Sequence, residues 1–196
     1  MACKSPRTKT RMMNKMKILL ILFLAAGALS CRTDLPGNTI IYIVRHAEKD
    51  VSDIKNQDPE LSAEGRERAE ALANKMKKIK LDAAFSTKYK RTSQTAYLSA
   101  KNSRIEVQTY EANDFRGIAE LVKTKFSKKR VLIVGHSNTV LELLDAFGAR
   151  RPLATLTDED YDFFFELNID HKGKVELRTQ HYGKVHHISI LKQVNP

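Results

Sequence analysis

The chain has 196 residues, with 34 Lys and Arg against 23 Asp and Glu and a formal net charge of +11. Six of the basic residues and none of the acids fall in residues 1–30, so the remainder carries 28 against 23, a balance of +5. That mild excess calls for no nucleic-acid partner and suits an anionic substrate or membrane surface. The remaining ~166 residues make one domain, large enough to bury ~70% of its unfolded surface.

Residues 1–30 read as a signal peptide. Lys4, Arg7, Lys9, Arg11, Lys15 and Lys17 form a basic stretch ahead of an apolar run from Ile18 to Leu29. That run is too short to span a bilayer, which takes roughly 20 residues, so a cleavable signal is expected. Ala28-Leu29-Ser30-Cys31 resembles the lipobox of bacterial lipoproteins, although its Leu stands one position late. The resemblance implies lipidation of Cys31, membrane attachment through an N-terminal lipid anchor, and a periplasmic or cell-envelope location. Cys3 and Cys31 are the two cysteines, and Cys3 leaves with the signal, so no disulfide is expected. Residues 31–38 read as a tether and 39–196 as the folded domain.

The domain opens on a strand at about 39–45, whose run Ile40-Ile41-Tyr42-Ile43-Val44 delivers Arg45-His46. Residues 47–60 are polar and read as a loop. Ser62 is a good N-cap for a helix reaching about Ile79, with Ala69, Leu72, Ala73 and Met76 on one face. A strand follows at 81–87, a helix at 90–100, a short edge strand at 105–107 and a helix at 114–126. A second buried strand, 131–135, delivers His136, and a helix from about Asn138 to Phe147 follows. Strands at 163–169 and 175–179 flank the turn Asp170-His171-Lys172-Gly173. Residues 185–192 read as one more strand. Alternating strands and helices predict an α/β fold: a single-domain, three-layer α/β/α sandwich with a mostly parallel central sheet.

Chemistry in such sheets gathers at the carboxyl ends of strands. Two histidines arrive there, one beside an arginine. Phosphoryl transfer to an imidazole needs a neutral ring with one nitrogen fixed, positive donors around the phosphoryl oxygens, and an acid for the leaving group. His46 is the candidate nucleophile, and Arg45 offers a planar fork of donors. Arg91 offers a second fork at a helix start that itself favours anions. His136 can donate to a phosphate oxygen. No metal is required for this scheme, and no His-x-x-His or His-Glu-x-x-His spacing occurs. His186 and His187, read on a strand, face opposite ways and make a poor chelate.

Four motifs occur in order: Arg45-His46-Ala47-Glu48-Lys49; Leu61-Ser62-Ala63-Glu64-Gly65-Arg66-Glu67-Arg68-Ala69; Phe85-Ser86-Thr87 through Arg91-Thr92-Ser93-Gln94-Thr95-Ala96; and Val134-Gly135-His136-Ser137-Asn138-Thr139. Together they resemble the histidine phosphatase superfamily, the phosphoglycerate mutase-like branch. The resemblance covers about 39–147, with the tail 160–183 also similar to small members. It implies a metal-independent phosphomonoester hydrolase without a cofactor, working through a phosphohistidine on His46. It implies a phosphate pocket of Arg45, Arg91 and His136. The general acid is expected between the arginine helix and the second histidine, as Glu111 first and Asp114 second, with Asn138 as a supporting residue. Ala47 departs from the Gly common at that position, and the mutases' Asn-containing stretch is absent, so the family name alone does not give the substrate. A small phosphorylated substrate is expected; oligomeric state is open. The alternatives are a phosphohistidine phosphatase acting on signalling proteins, a mutase, and a non-catalytic phosphate-binding lipoprotein. The short core and the signal weigh against a mutase, and the signal against a cytosolic signalling partner.

Overall fold

Strand β1 (Thr39–Arg45) lies at the centre of the molecule, flanked by β4 (Arg130–Gly135) and β5 (Phe163–Ile169). The structure, a computed structural model, describes residues 37–188. The signal peptide, Cys31 and most of the tether lie outside the described residues.

The six-stranded sheet has the order β3-β2-β4-β1-β5-β6, adding β2 (Ala83–Ser86), β3 (Val107–Thr109) and β6 (Val175–His181). β1, β2, β3 and β4 run parallel; β5 is antiparallel to both its neighbours, which returns β6 to the common direction. The expected mostly parallel α/β/α sandwich is thus the observed fold, with two helices on each face. Alternation along β1 explains the layering. Ile41 and Ile43 face one way, into a core with Val131, Ile133, Phe163 and Phe165. That core is covered by α3 (Phe115–Lys125) through Ile118 and Val122, and by α4 (Val140–Phe147) through Leu143, Leu144 and Phe147. Tyr42 and Val44 face the other way with Leu132, Val134 and Phe164. They are covered by α1 (Ala63–Lys75) through Leu72 and by α2 (Lys90–Ser103) through Ala96 and Ala100. Strands buried on both faces require the continuous apolar runs seen in β1 and β4.

Boundaries shift for local reasons. α1 stops at Lys75 rather than Ile79 because residues 76–79 close as a tight turn, with Ile79 N–H donating to Met76 O at 2.8 Å. α2 runs to Ser103 and ends on Arg104 in the left-handed region (φ 59°). The edge strand sits at 107–109 rather than 105–107, and α4 begins two residues after Asn138. Residues 185–188, expected as the start of a strand, form none. Side chains take the place of a sheet neighbour there: His186 N–H donates to Asp162 and Ile188 N–H to Asp160.

Candidate active site

β1 and β4 are adjacent, paired Arg45 to Gly135, and the chain leaves them in opposite directions along the sheet. The crevice at their carboxyl ends is the switch point where α/β folds place ligands. His46 follows β1 directly and its N–H donates to Gly135 O at 2.9 Å. His136 follows β4, its N–H bound by Thr139 Oγ1 at 2.8 Å. The two imidazoles meet edge to face, 5.3 Å between ring centres.

The His46 ring is fixed in one tautomer. Its Nδ1 lies 2.8 Å from Ala47 O, an atom that can only accept, so Nδ1 carries the proton and Nε2 presents its lone pair. The ring is 5% exposed, and burial, with the nearby Arg45, His136 and Arg91, pushes its pKa down to about 3 despite the bond to Ala47. Burial first, then Arg91 and Arg45, push His136 down to about 4. Both rings are therefore neutral near pH 7.

The arginine helix is tied to this strand end by its own motif. Thr95 Oγ1 accepts from Ala47 N–H at 2.9 Å and donates to Arg91 O at 2.7 Å. Gln94 Oε1 accepts from Leu61 N–H at 2.9 Å. Thr92 Oγ1 donates to Tyr89 O at 2.7 Å and lies 2.9 Å from Thr87 Oγ1, which in turn lies 2.9 Å from His136 Nε2. Ala96 is fully buried beneath the sheet core. Thr95 thus ties α2 to the end of β1, Thr92 to the end of β2 and Gln94 to the stretch before α1, while Ala96 packs on the sheet.

Arg45 is 4% exposed and stacked on Tyr161, its guanidinium carbon 3.9 Å from the ring centre. Its two terminal nitrogens donate to Thr157 O at 2.7 Å and Asp158 Oδ1 at 3.1 Å. Arg91 lies over Tyr89 at 4.4 Å, with Asp58 4.0 Å from one terminal nitrogen. In both arginines Nε is buried with no hydrogen-bond partner among the described residues. A buried N–H on a charged group without a partner is costly. Two of them beside two neutral imidazoles suit an anion with several acceptor oxygens. That pairing of donors is how a phosphoryl group is held without other help.

Glu111 is exposed and lines a cavity of about 440 Å³ with Thr87, Tyr89 and Tyr110. The Tyr89 ring in the same wall packs edge-on against His136 at 5.4 Å. Asp114 lines that cavity too, but its Oδ1 accepts from Gly117 N–H at 2.8 Å and caps α3. Asn138 is exposed in the turn after β4, and the side-chain bond to the His136 backbone comes from Thr139 instead.

Several residues at the site were not singled out from sequence. Asp58 comes from the 47–60 loop and accepts from Lys90 N–H at 2.9 Å, so it caps the arginine helix as well as facing Arg91. Tyr161 and residues 157–158 hold Arg45 from a stretch between α4 and β5 that has no periodicity. Glu48, two residues beyond His46, pairs with buried Arg68 at 2.7 Å; Arg68 also donates to Tyr182 O and Lys184 O. Glu48 and Arg68 border a further cavity of about 840 Å³ with Lys49, Ser62, Glu67, Lys184 and His186, beside the histidine pair rather than around it.

The site is thus an imidazole pair between two guanidinium groups at the carboxyl ends of β1 and β4. Residues 41–114 match the family model of the histidine phosphatase superfamily (branch 1), so the stretch from β1 to the cap of α3 carries that superfamily's pattern. Similar solved structures include the protein histidine phosphatase SixA complexed with tungstate, at 14% identity and TM-score 0.60, covering 72% of this chain and 96% of that one. A mycobacterial glucosyl-3-phosphoglycerate phosphatase is similar at 15% identity and TM-score 0.55, covering 74% and 98%. A protein described as mycobacterial hydrolase 1 is similar at 16% identity and TM-score 0.55, covering 78% and 100%. At such identities the likeness is one of fold. No curated protein matches the sequence.

Proposed function

We propose that this protein is a metal-independent phosphatase that hydrolyses a small phosphomonoester through a phosphohistidine on His46. The observation that carries the proposal is the neutral His46 ring, with Nδ1 bound to Ala47 O and two unpartnered guanidinium N–H donors close by. The family match and the phosphatases among the similar folds support phosphatase chemistry.

In the first step His46 Nε2 attacks phosphorus in line, forming the P–N bond as the P–O bond to the leaving alcohol breaks. Arg45 and Arg91 balance the charge on the phosphoryl oxygens, and His136 donates to one of them. Glu111 gives the leaving oxygen its proton; it lines the open cavity beside Tyr89, and the other carboxylate there, Asp114, is engaged in capping α3. In the second step water, deprotonated by the same carboxylate, attacks phosphorus and releases His46 and inorganic phosphate.

A lipid on Cys31 would place the domain on the membrane, outside the cytoplasm, and a phosphorylated compound of that compartment is the expected substrate. A second reading, a phosphohistidine phosphatase, is favoured by one observation. The Glu111 carboxylate is exposed and has no hydrogen-bond partner among the described residues. A phosphoimidazole needs less help from an acid than an alkyl phosphate does.

The test is hydrolysis of an aryl phosphate and of an alkyl phosphate by residues 32–196 in EDTA. Turnover is expected in wild type and its loss in His46→Ala. Equal turnover in the two proteins would reject the nucleophile. Glu111→Gln is expected to spare the aryl substrate, with its good leaving group, and to slow the alkyl one by ~100-fold. Loss of neither would favour the phosphohistidine reading.

A further inference from the structure

We propose that Asp162, His181 and His187 form a binding site for a divalent transition metal of the zinc class, which fastens the C-terminal segment to the β5–β6 hairpin. None of the three is assigned to phosphoryl transfer.

The ligands converge from separate stretches. Asp162 immediately precedes β5 and His181 ends β6. Antiparallel pairing sets Phe163 opposite His181, and Tyr182 N–H donates to Asp162 O at 3.0 Å. His187 arrives from the segment after the hairpin. One ligand atom from each lies within 4.8 Å of the other two. The two imidazoles stack, 4.3 Å between centres and 22° apart in plane, and so aim both Nδ1 atoms at one carboxylate. His187 Nδ1 is 2.7 Å from Asp162 Oδ2, and His181 Nδ1 is 3.3 Å from Oδ1. The Phe163 ring packs against both imidazoles.

Two imidazoles and a carboxylate are a zinc-type donor set, with a fourth position for water; calcium and magnesium prefer oxygen. Ligand atoms ~2.1 Å from such an ion sit roughly 3.4 Å apart in a tetrahedron; the atoms here lie within 4.8 Å of one another, so the ion is taken up with small side-chain adjustments, the 2.7 Å His187–Asp162 contact opening to admit it. The carboxylate is prepared for a cation. Asp162 is 1% exposed, and its Oδ2 also accepts from His186 N–H at 3.1 Å, which fixes its plane. The imidazoles are open to solvent, 38% and 29% exposed, so an ion can enter. On binding, each Nδ1 turns its lone pair to the metal and the ring proton moves to Nε2 or to solvent.

The site has a structural consequence. The segment it would hold, 186–188, is the one bonded to residues 159–162: Tyr161 N–H donates to His186 O, and His186 Nδ1 to Glu159 O. That stretch supplies the ring and a carbonyl that seat Arg45.

The experiment is zinc titration of untagged protein, stripped with EDTA and dialysed, by calorimetry. Cobalt(II) absorption in the visible serves as a second readout. One zinc per chain is expected, with Tm rising about 5 °C at a hundredfold excess over Kd. His181→Gln and His187→Gln are each expected to weaken binding at least ~10-fold, while His171→Gln and His46→Ala leave it unchanged. Absence of stoichiometric zinc binding would overturn the proposal. So would binding that survives both glutamine variants, or that disappears in His46→Ala. Phosphatase turnover is a separate measurement, so either claim can fail alone.

Discussion

At the residue scale, the imidazoles of His46 and His136 stay neutral where a free histidine would charge. Burial sets the direction for both, and the neighbouring guanidinium groups add to it. Proton NMR of the ring resonances is expected to show no titration of His46 or His136 between pH 7 and 5, with protonation only near about 3 and about 4. A midpoint near 6.5 for His46 would contradict the buried, donor-lined environment. The linked stability follows with a definite sign. The unfolded chain takes up protons at these histidines as pH falls below about 6.5, whereas the folded chain does not. Their contribution is neutral above that pH and erodes stability as pH falls from about 6.5 towards 3. Arg91→Lys is expected to lower kcat/KM by at least ~100-fold, because a point charge cannot replace a fork that stacks on Tyr89 and offers a buried Nε–H as well as its terminal nitrogens. Thr87→Val removes the hydroxyl at His136 Nε2, and a loss of ~10-fold is expected, about the worth of one orienting hydrogen bond.

At the element scale, strands and helices were legible where burial is two-sided or one face repeats. β1 and β4 are unbroken apolar runs because both faces of the central sheet are covered. Ser62 was legible as a cap, and its hydroxyl does accept from Gly65 N–H at 3.1 Å. Its replacement by Ala is expected to cost ~1 kcal/mol in denaturant unfolding. Gly65 itself was not legible as a close-approach glycine. A Cβ there would collide with the Glu48 carbonyl oxygen, on the loop that follows His46. Gly65→Ala is therefore expected to destabilise by ~1–3 kcal/mol and to disturb the loop. Boundaries were less legible, since the turn at 76–79 and the left-handed Arg104 interrupt patterns that continue in sequence. The histidines and arginines could be found because strand ends deliver them. Asp58, Tyr161 and the strap at 157–158 could not. They come from aperiodic segments, and only the folded chain brings them against Arg45 and Arg91. The cluster of Asp162, His181 and His187 has no ligand spacing in the sequence for the same reason: its members lie on three stretches, and residues 186–188 are not a strand.

At the scale of the whole molecule, one buried ion pair joins the loop after His46, α1 and the chain after β6. Arg68 binds Glu48 while donating to Tyr182 O and Lys184 O. Removing it leaves a carboxylate at 14% exposure without its partner. Arg68→Ala is expected to lower stability by ~3–5 kcal/mol and to loosen the loop beyond His46. The proposed mechanism divides its parts over the molecule: His46 as nucleophile at the sheet centre, the two guanidinium forks on α2 and under the 157–161 strap, and Glu111 on the open wall for the leaving group. The measurement that tests this most directly is trapping of the phosphoenzyme. Wild-type protein is mixed with an aryl phosphate in EDTA, quenched in base, where a phosphoimidazole survives, and mapped by peptide mass spectrometry. One phosphoryl group on the peptide containing His46, absent from His46→Ala, is the expected result. Turnover without any such adduct, or an adduct on His136 alone, would contradict the assignment of His46 as the nucleophile.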